Sequence, residues 1–352
     1  MIEQVSDEIE LAVEMRRLLY GQLVSRAICA VAALDIPNIL GGERYSVEEL
    51  ALKSGADRRS LLQLLRALVP FGVFVGHDDG TYGLTPLGGT LRGDAEASAL
   101  PTAMLVQDEV GRAWNDLLAT IRSGEPSFRT LYGADFFAHL DTRPELHDTF
   151  HKSQQHGLEM DLGGILRAID FTGSEVIVDV GGGDGALLEA VLTRHPGPRG
   201  VLVDLPGVIA AAGRRFADAG LAGRTELCAG DFYAALPPGG DLYLMRQITH
   251  DLDDARCGAL LDSCRRAVTP ESRLLILDLM ADDLPSTDAE ARMTAIMSLY
   301  MMSIFGGRER TRAEFEHLLA GAGFAVESVT RLNGQMTAIA ARPVPAGGEG
   351  PR

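Results

Sequence analysis

The stretch from Val176 to Leu192, VIVDVGGGDGALLEAVL, limits the fold more than any other part of the chain. A short apolar run ending in glycines predicts a buried strand over Val176–Val180, and helical spacing of apolar residues predicts a helix over Gly185–His195. Three glycines in a row between them allow a tight turn and close approach of another group to the backbone. The helix that follows turns unsatisfied N–H groups toward whatever the turn holds.

The same alternation continues to the end of the chain. GVLVDLP is a strand and Val208–Ala219 a helix, TELCAGDF contains a strand, and DLYLMRQI is a strand followed by a helix over Asp253–Val268. SRLLILDLM is a fifth strand, and GFAVESVTRLNGQMTAIAAR holds two more around Asn333-Gly334, a type I′ hairpin signal. Strands separated by helices predict an α/β domain of Rossmann type with a largely parallel sheet, and the hairpin makes the last strand antiparallel.

Residues 8–35 are helical in pattern, with apolar residues on more than one face. Such a helix needs burial on several sides, which a second copy of the chain can supply. Ser46 and Glu49 form a capping box before a short helix, a second helix spans Arg58–Val69, and β segments at Val73–Val75 and Thr81–Leu84 flank Asp79-Gly80. That is a winged-helix layout. DNA binding does not follow from it. Between Glu43 and Arg92, six Lys or Arg face six Asp or Glu with no basic stripe, and the second helix spends its leucines on packing. The expected domains are a winged-helix-like dimerisation module over 1–100, a helical connector over 101–170, an α/β catalytic domain over 171–342 and a flexible tail over 343–352.

With 352 residues, 46% of them hydrophobic, the chain can build large cores. A net charge of −17 argues against a nucleic-acid partner and for small-molecule chemistry. The four cysteines have no zinc-ligand spacing and read as reduced core thiols, so no metal is expected. No leader or apolar run long enough for a membrane is evident, which points to the cytoplasm.

Asp204 ends the second strand, 23 residues after Gly181, where a carboxylate can accept both ribose hydroxyls. The ligand is therefore expected to be a nucleoside. Gly181, Gly183 and Ala186 fit a loose dinucleotide pattern, but Asp179, two residues before the first glycine, would repel a pyrophosphate. It suits a ligand with an ammonium and no phosphates, as S-adenosylmethionine is.

VDVGGGDG, DLP, GDFYAALPPGGDLYLMRQITHD and GGRERTRAEFEHLLAGAGF together resemble the small-molecule O-methyltransferases of plant phenolic and bacterial polyketide metabolism. The resemblance spans nearly the whole chain, and in that family the N-terminal module dimerises. It implies that Gly181, Gly183 and Asp179 hold the methionine part, and that Asp204 and neighbouring Leu205 take the ribose. Asp231 and Phe232 hold the adenine, and Arg246 lies beside the cofactor. His250 matches the general base, Asp251 its usual neighbour, and Asp278 and Glu309 two carboxylates flanking the histidine. Methyl transfer from a sulfonium needs little more than a base and positioning, and an imidazole with a carboxylate on its other nitrogen can take a phenolic proton.

The acceptor pocket is expected between the nucleotide domain and the preceding helices, with Trp114, Phe150, Gln154, Tyr300, Met301 and Ile304 as its walls. The Arg- and Gly-rich composition favours an aromatic, polyketide-type acceptor over a lignin precursor. Leu252 stands where the family has Trp, Asp278 where Glu is common, and Gln154 where a pocket Met is common. Two alternatives stand beside methyl transfer: a relative that binds the cofactor but decarboxylates or hydroxylates, and a winged-helix regulator that senses a nucleoside.

Overall fold

The computed structural model describes residues 2–284, 286–332 and 336–345, with side chains from residue 7. The chain packs as two units, Met1–Arg112 with Glu145–His156, and Ala113–Pro144 with Gly157–Arg352. This corrects the expected connector over 101–170. Its first helix and the first half of its last belong to the N-terminal unit and the rest to the catalytic unit, because packing partners rather than composition decide membership.

In the N-terminal unit, α1 (Ile2–Ala33) is followed by α2 (Ile36–Leu40), β1 (Tyr45–Ser46), α3 (Val47–Ser54) and α4 (Arg58–Leu68). Then come β2 (Phe74–Gly76), β3 (Thr81–Leu84), α5 (Pro86–Gly89) and α6 (Leu100–Gln107). The capping box forms as its sequence predicts: Ser46 accepts from the Glu49 N–H while Glu49 accepts from the Ser46 N–H. The three strands pair in the order β1-β3-β2, with Gly80 at φ 80° in the β2–β3 turn. The two-residue strand β1 is too short for a sequence signal. Leu50, Leu61, Leu65 and Leu68 close the core against Ile36, Leu40 and Phe74. Along α1, Leu11, Leu18, Leu19 and Leu23 stand exposed, as do Met15 and Tyr20.

The catalytic unit is built on an eight-stranded sheet. Its helices before the sheet are α7 (Glu109–Asn115, shared at its start with the other unit), α8 (Leu117–Ser123), α9 (Ser127–Tyr132), α10 (Phe136–Leu140) and the later turns of α11 (Pro144–Ala168). β4 (Val176–Val180), α12 (Ala186–Arg194), β5 (Arg199–Asp204), α13 (Pro206–Asp218), β6 (Thr225–Ala229), β7 (Leu242–Arg246), α14 (Asp254–Ala267) and β8 (Arg273–Ala281) alternate. They are followed by α15 (Ala289–Ile304), β9 (Arg310–Thr311), α16 (Arg312–Gly321), β10 (Phe324–Arg331) and β11 (Met336–Pro343).

The main path runs β10-β11-β8-β7-β4-β5-β6, with β9 pairing β8 off it. The inner pairs are parallel, and β11 is antiparallel to both β8 and β10. Leu188, Leu192, Leu202 and Leu244 pack one face of the sheet; Val178, Val203, Tyr243 and Leu260 pack the other. Strand order reverses at β4, whose neighbours are β5 and β7, so the carboxyl ends of these strands open a crevice at the switch point. The Asn333-Gly334 turn lies outside the described residues. The tail begins later than expected: Pro343 is in β11, and Val344 is pinned by its N–H to Gly323 O and by Arg265 at its carbonyl. Residues 346–352 lie outside the description. Among the described residues, no helix is long and apolar enough to cross a membrane.

Candidate active site

The glycine turn after β4 sits at the switch point. Gly181, Gly183 and Gly185 all adopt left-handed φ, and a Cβ on Gly182 would meet Asp179 Oδ2 at 2.5 Å. Asp204, at the end of β5, reaches across: its Oδ2 accepts from the Gly183 N–H at 2.8 Å and its Oδ1 from the Leu205 N–H at 2.7 Å. Leu205 is half exposed beside it. Gly181 approaches Ile248 and Phe232, where a Cβ would lie 2.5 Å and 3.8 Å from their side chains. Asp231 is exposed and bends its own loop by accepting from the Tyr233 N–H. Asp179, Gly181, Gly183, Asp204 and Phe232 thus converge on one turn.

Asp179 is 1% exposed, and its Oδ2 finds no hydrogen-bond partner among the described residues. Burial, reinforced by the Asp204 charge, raises its carboxyl to about 7, against the pull of Arg246. Arg246 binds Asp161 on α11 at 3.0 Å, and its Nε also has no partner among the described residues. Burial works against the guanidinium charge, and Asp161 supports it. An orphaned buried carboxylate beside a side-chain-free turn is what an ammonium-bearing, phosphate-free nucleoside requires. The residues present fit S-adenosylmethionine.

His250 follows β7 in a 3₁₀ turn, Thr249–Asp251, and is 6% exposed. Its Nδ1 lies 3.0 Å from Glu309 Oε1, and its Nε2 lies 3.5 Å from Asp251 Oδ1. Burial alone would depress the imidazole. Glu309, Asp251 and Asp278 outweigh it and hold its pKa up at about 10. Burial, together with Asp278 and Glu309, raises Asp251 to about 7, while the imidazole opposes it. Asp278 is fully buried and lies near the ring without a hydrogen bond to it. Its Oδ2 accepts from the Thr249 hydroxyl, and its Oδ1 has no partner among the described residues. The shorter aspartate is captured by the hydroxyl next to His250 and acts on the ring through space.

Sequence reasoning missed several supports. Gln247 sits at φ 53°, a strained conformation for a non-glycine, immediately after β7. Gly307 packs so tightly on the turn that a Cβ would lie 2.0 Å from His250 O. Arg310, 0% exposed, donates to Thr249 O at 2.5 Å and to Leu252 O at 2.7 Å. In GGRERTR, one more arginine among several carries no local sign of burial.

In the same unit, Trp114 and Tyr300 have ring centroids 6.5 Å apart, and Tyr300 and Phe305 6.3 Å. Burial and the nearby Asp251 charge push the Tyr300 phenol up. Met301 and Ile304 are buried in α15. Phe150 and Gln154 lie on the part of α11 that belongs to the N-terminal unit, the first buried, the second exposed.

Residues 114–325 match the O-methyltransferase domain and residues 16–93 the O-methyltransferase dimerisation domain, so the chain belongs to the O-methyltransferase family. It is an S-adenosylmethionine-dependent O-methyltransferase. The O-methyltransferase SfmM3 of Streptomyces lavendulae is 43% identical over 330 residues, which cover 93% of this chain and 99% of that protein. The solved mitomycin 7-O-methyltransferase MmcR superposes with a TM-score of 0.90 at 30% identity, covering 97% of this chain and all of that one. NcsB1, an O-methyltransferase of neocarzinostatin biosynthesis solved with S-adenosylmethionine and 2-hydroxy-5-methyl naphthoic acid, gives 0.82 at 32% identity over 91% and 96% of the two chains.

Proposed function

We propose that the chain methylates a phenolic hydroxyl of an aromatic natural product, with His250 as general base. The observation that carries this is the buried His250–Glu309 pair at the open end of β7. When bound, S-adenosylmethionine would supply an electrophilic methyl group for in-line transfer to the acceptor oxygen, with the methyl–sulfur bond breaking and S-adenosylhomocysteine leaving. Asp179, Asp204 and Arg246 bind and orient it, with Asp231 and Phe232 beside the adenine.

Glu309 holds the imidazole by Nδ1, which leaves Nε2 to take the proton. A base held near 10 matches an ordinary phenol of pKa about 10, so proton transfer between them is nearly thermoneutral. Trp114, Tyr300, Met301 and Ile304 of the catalytic unit line the acceptor side in this reading. Relatives named for 2,7-dihydroxy-5-methyl-1-naphthoate and 3-amino-4-hydroxybenzoate support a bicyclic or monocyclic phenol bearing a carboxylate. The exposed leucine face of α1 is covered by a second copy in a homodimer. The enzyme works in the cytoplasm without a nucleic-acid or membrane partner.

The test pairs wild type with His250→Ala, using S-adenosylmethionine and a panel containing those two acids, read by mass spectrometry for one added methyl. Methylation by wild type, with at least a roughly 100-fold loss in the variant, supports the assignment. Equal methylation by both removes His250 as the base.

A further inference from the structure

The segment from Gly307 to Arg310 grips the turn that carries His250 from three directions. Gly307 lies against the His250 carbonyl, where any side chain would clash. Glu309 takes the ring at Nδ1. Arg310 lies beneath, with Nη1 on Thr249 O and Nη2 on Leu252 O, the two carbonyls that bracket His250 and Asp251. Its Nε and Nη2 also reach Asp254 Oδ1, at 3.0 and 2.8 Å, at the start of α14. Arg310 is in turn fixed to the sheet, pairing with Met280 of β8.

We propose that Arg310 is a positioning residue for methyl transfer: its guanidinium spans the His250 turn and sets the direction in which Nε2 points. This rests on the reading of His250 as the base. The physical case has three parts. A turn of one residue more than two has few hydrogen bonds of its own: Asp251 N–H to Ile248 O at 3.2 Å and Leu252 N–H to Thr249 O at 3.3 Å. Both are long. A charged planar donor on the two outer carbonyls supplies stronger and more directional restraint. Burying an arginine completely is costly, so its donors must be matched, and here backbone and Asp254 match them. A lysine can keep the charge, but its single nitrogen cannot reproduce the planar two-nitrogen span.

The test uses the full chain with ring-15N histidine. The His250 signals are those lost in His250→Ala. Wild type is expected to show a slowly exchanging Nδ1 proton, held by Glu309. In Arg310→Lys that signal is expected to broaden or vanish, while S-adenosylhomocysteine affinity stays within about two-fold. On an acceptor from the panel above, kcat is expected to fall roughly 10–100-fold with the KM for S-adenosylmethionine little changed, as for a misdirected group. Guanidinium added to Arg310→Ala is expected to restore the Nδ1 proton. The proposal is overturned if Arg310→Lys keeps the wild-type ring signal, or if it loses cofactor affinity and melting temperature in step with kcat, which marks a merely structural arginine. If His250→Ala still methylates at full rate, the base assignment fails instead, and the ring signal decides the role of Arg310 separately.

Discussion

His250 and Asp179 are both buried, and both are held away from their ordinary pKa, His250 by its carboxylate neighbours and Asp179 chiefly by its own burial, in ways that leave measurable traces. His250 must be neutral to accept a proton, and its carboxylate neighbours keep it charged until high pH. Activity, as kcat/KM for a phenolic acceptor, is therefore expected to keep rising with pH until about 10. Glu309→Gln removes the largest of the neighbours that raise the pKa, so the rise should move to lower pH, while kcat at its plateau falls about 10-fold or more as the ring loses its tautomer. A pH–rate profile of both proteins decides. Asp179 shows a trade between stability and binding. Asp179→Asn should raise the melting temperature of the cofactor-free protein at pH 8 by several degrees and weaken S-adenosylmethionine binding at least 10-fold by calorimetry.

The elements that hold these residues were legible where they repeat a local pattern. The central parallel strands β4, β5, β7 and β8 announced themselves as apolar runs, and the glycine turn, Asp204 and His250 each fell at a strand end, where such sheets place ligands. What local pattern cannot carry is a partner distant in sequence. Thr249 captured Asp278, Arg310 went under the turn, and β9 paired over two residues only, all through contacts spanning 29 residues or more. The helices from 101 to 170 read as one connector because periodicity reports a buried face without saying which neighbour buries it. The tight packing of two loops yields a prediction at this scale. Gly307→Ala should lower kcat more than 10-fold, since the clash is with backbone that cannot swing aside. Gly181→Ala, whose clash is with the flexible end of Ile248 but whose φ is left-handed, should chiefly weaken cofactor binding. Separate titrations of acceptor and cofactor distinguish the two.

For the whole molecule, the raised groups act in the same direction. An imidazole raised above its unfolded value stabilises the fold below about 6.5, and that contribution is lost as pH climbs toward 10. A carboxyl raised to about 7 stabilises the fold only while protonated, so its contribution is lost as pH rises through 7. The cofactor-free enzyme should therefore melt at a lower temperature at pH 9 than at pH 6, and Asp179→Asn should flatten that slope; scanning calorimetry across the range checks it. Introducing charge on α1, as in Leu18→Glu with Leu23→Glu, should halve the mass in solution by light scattering if the exposed face joins two copies.

The chain passes between its two packing units at 112, at 144 and again at 156, the last time inside the continuous helix α11. A single crossover between two related genes would then join part of one parent's unit to part of the other's, and only exchanges that respect all three passages transplant a unit intact. Chimaeras built to trade acceptor preference between such enzymes are better cut at those three places than at the one boundary that a linear map suggests.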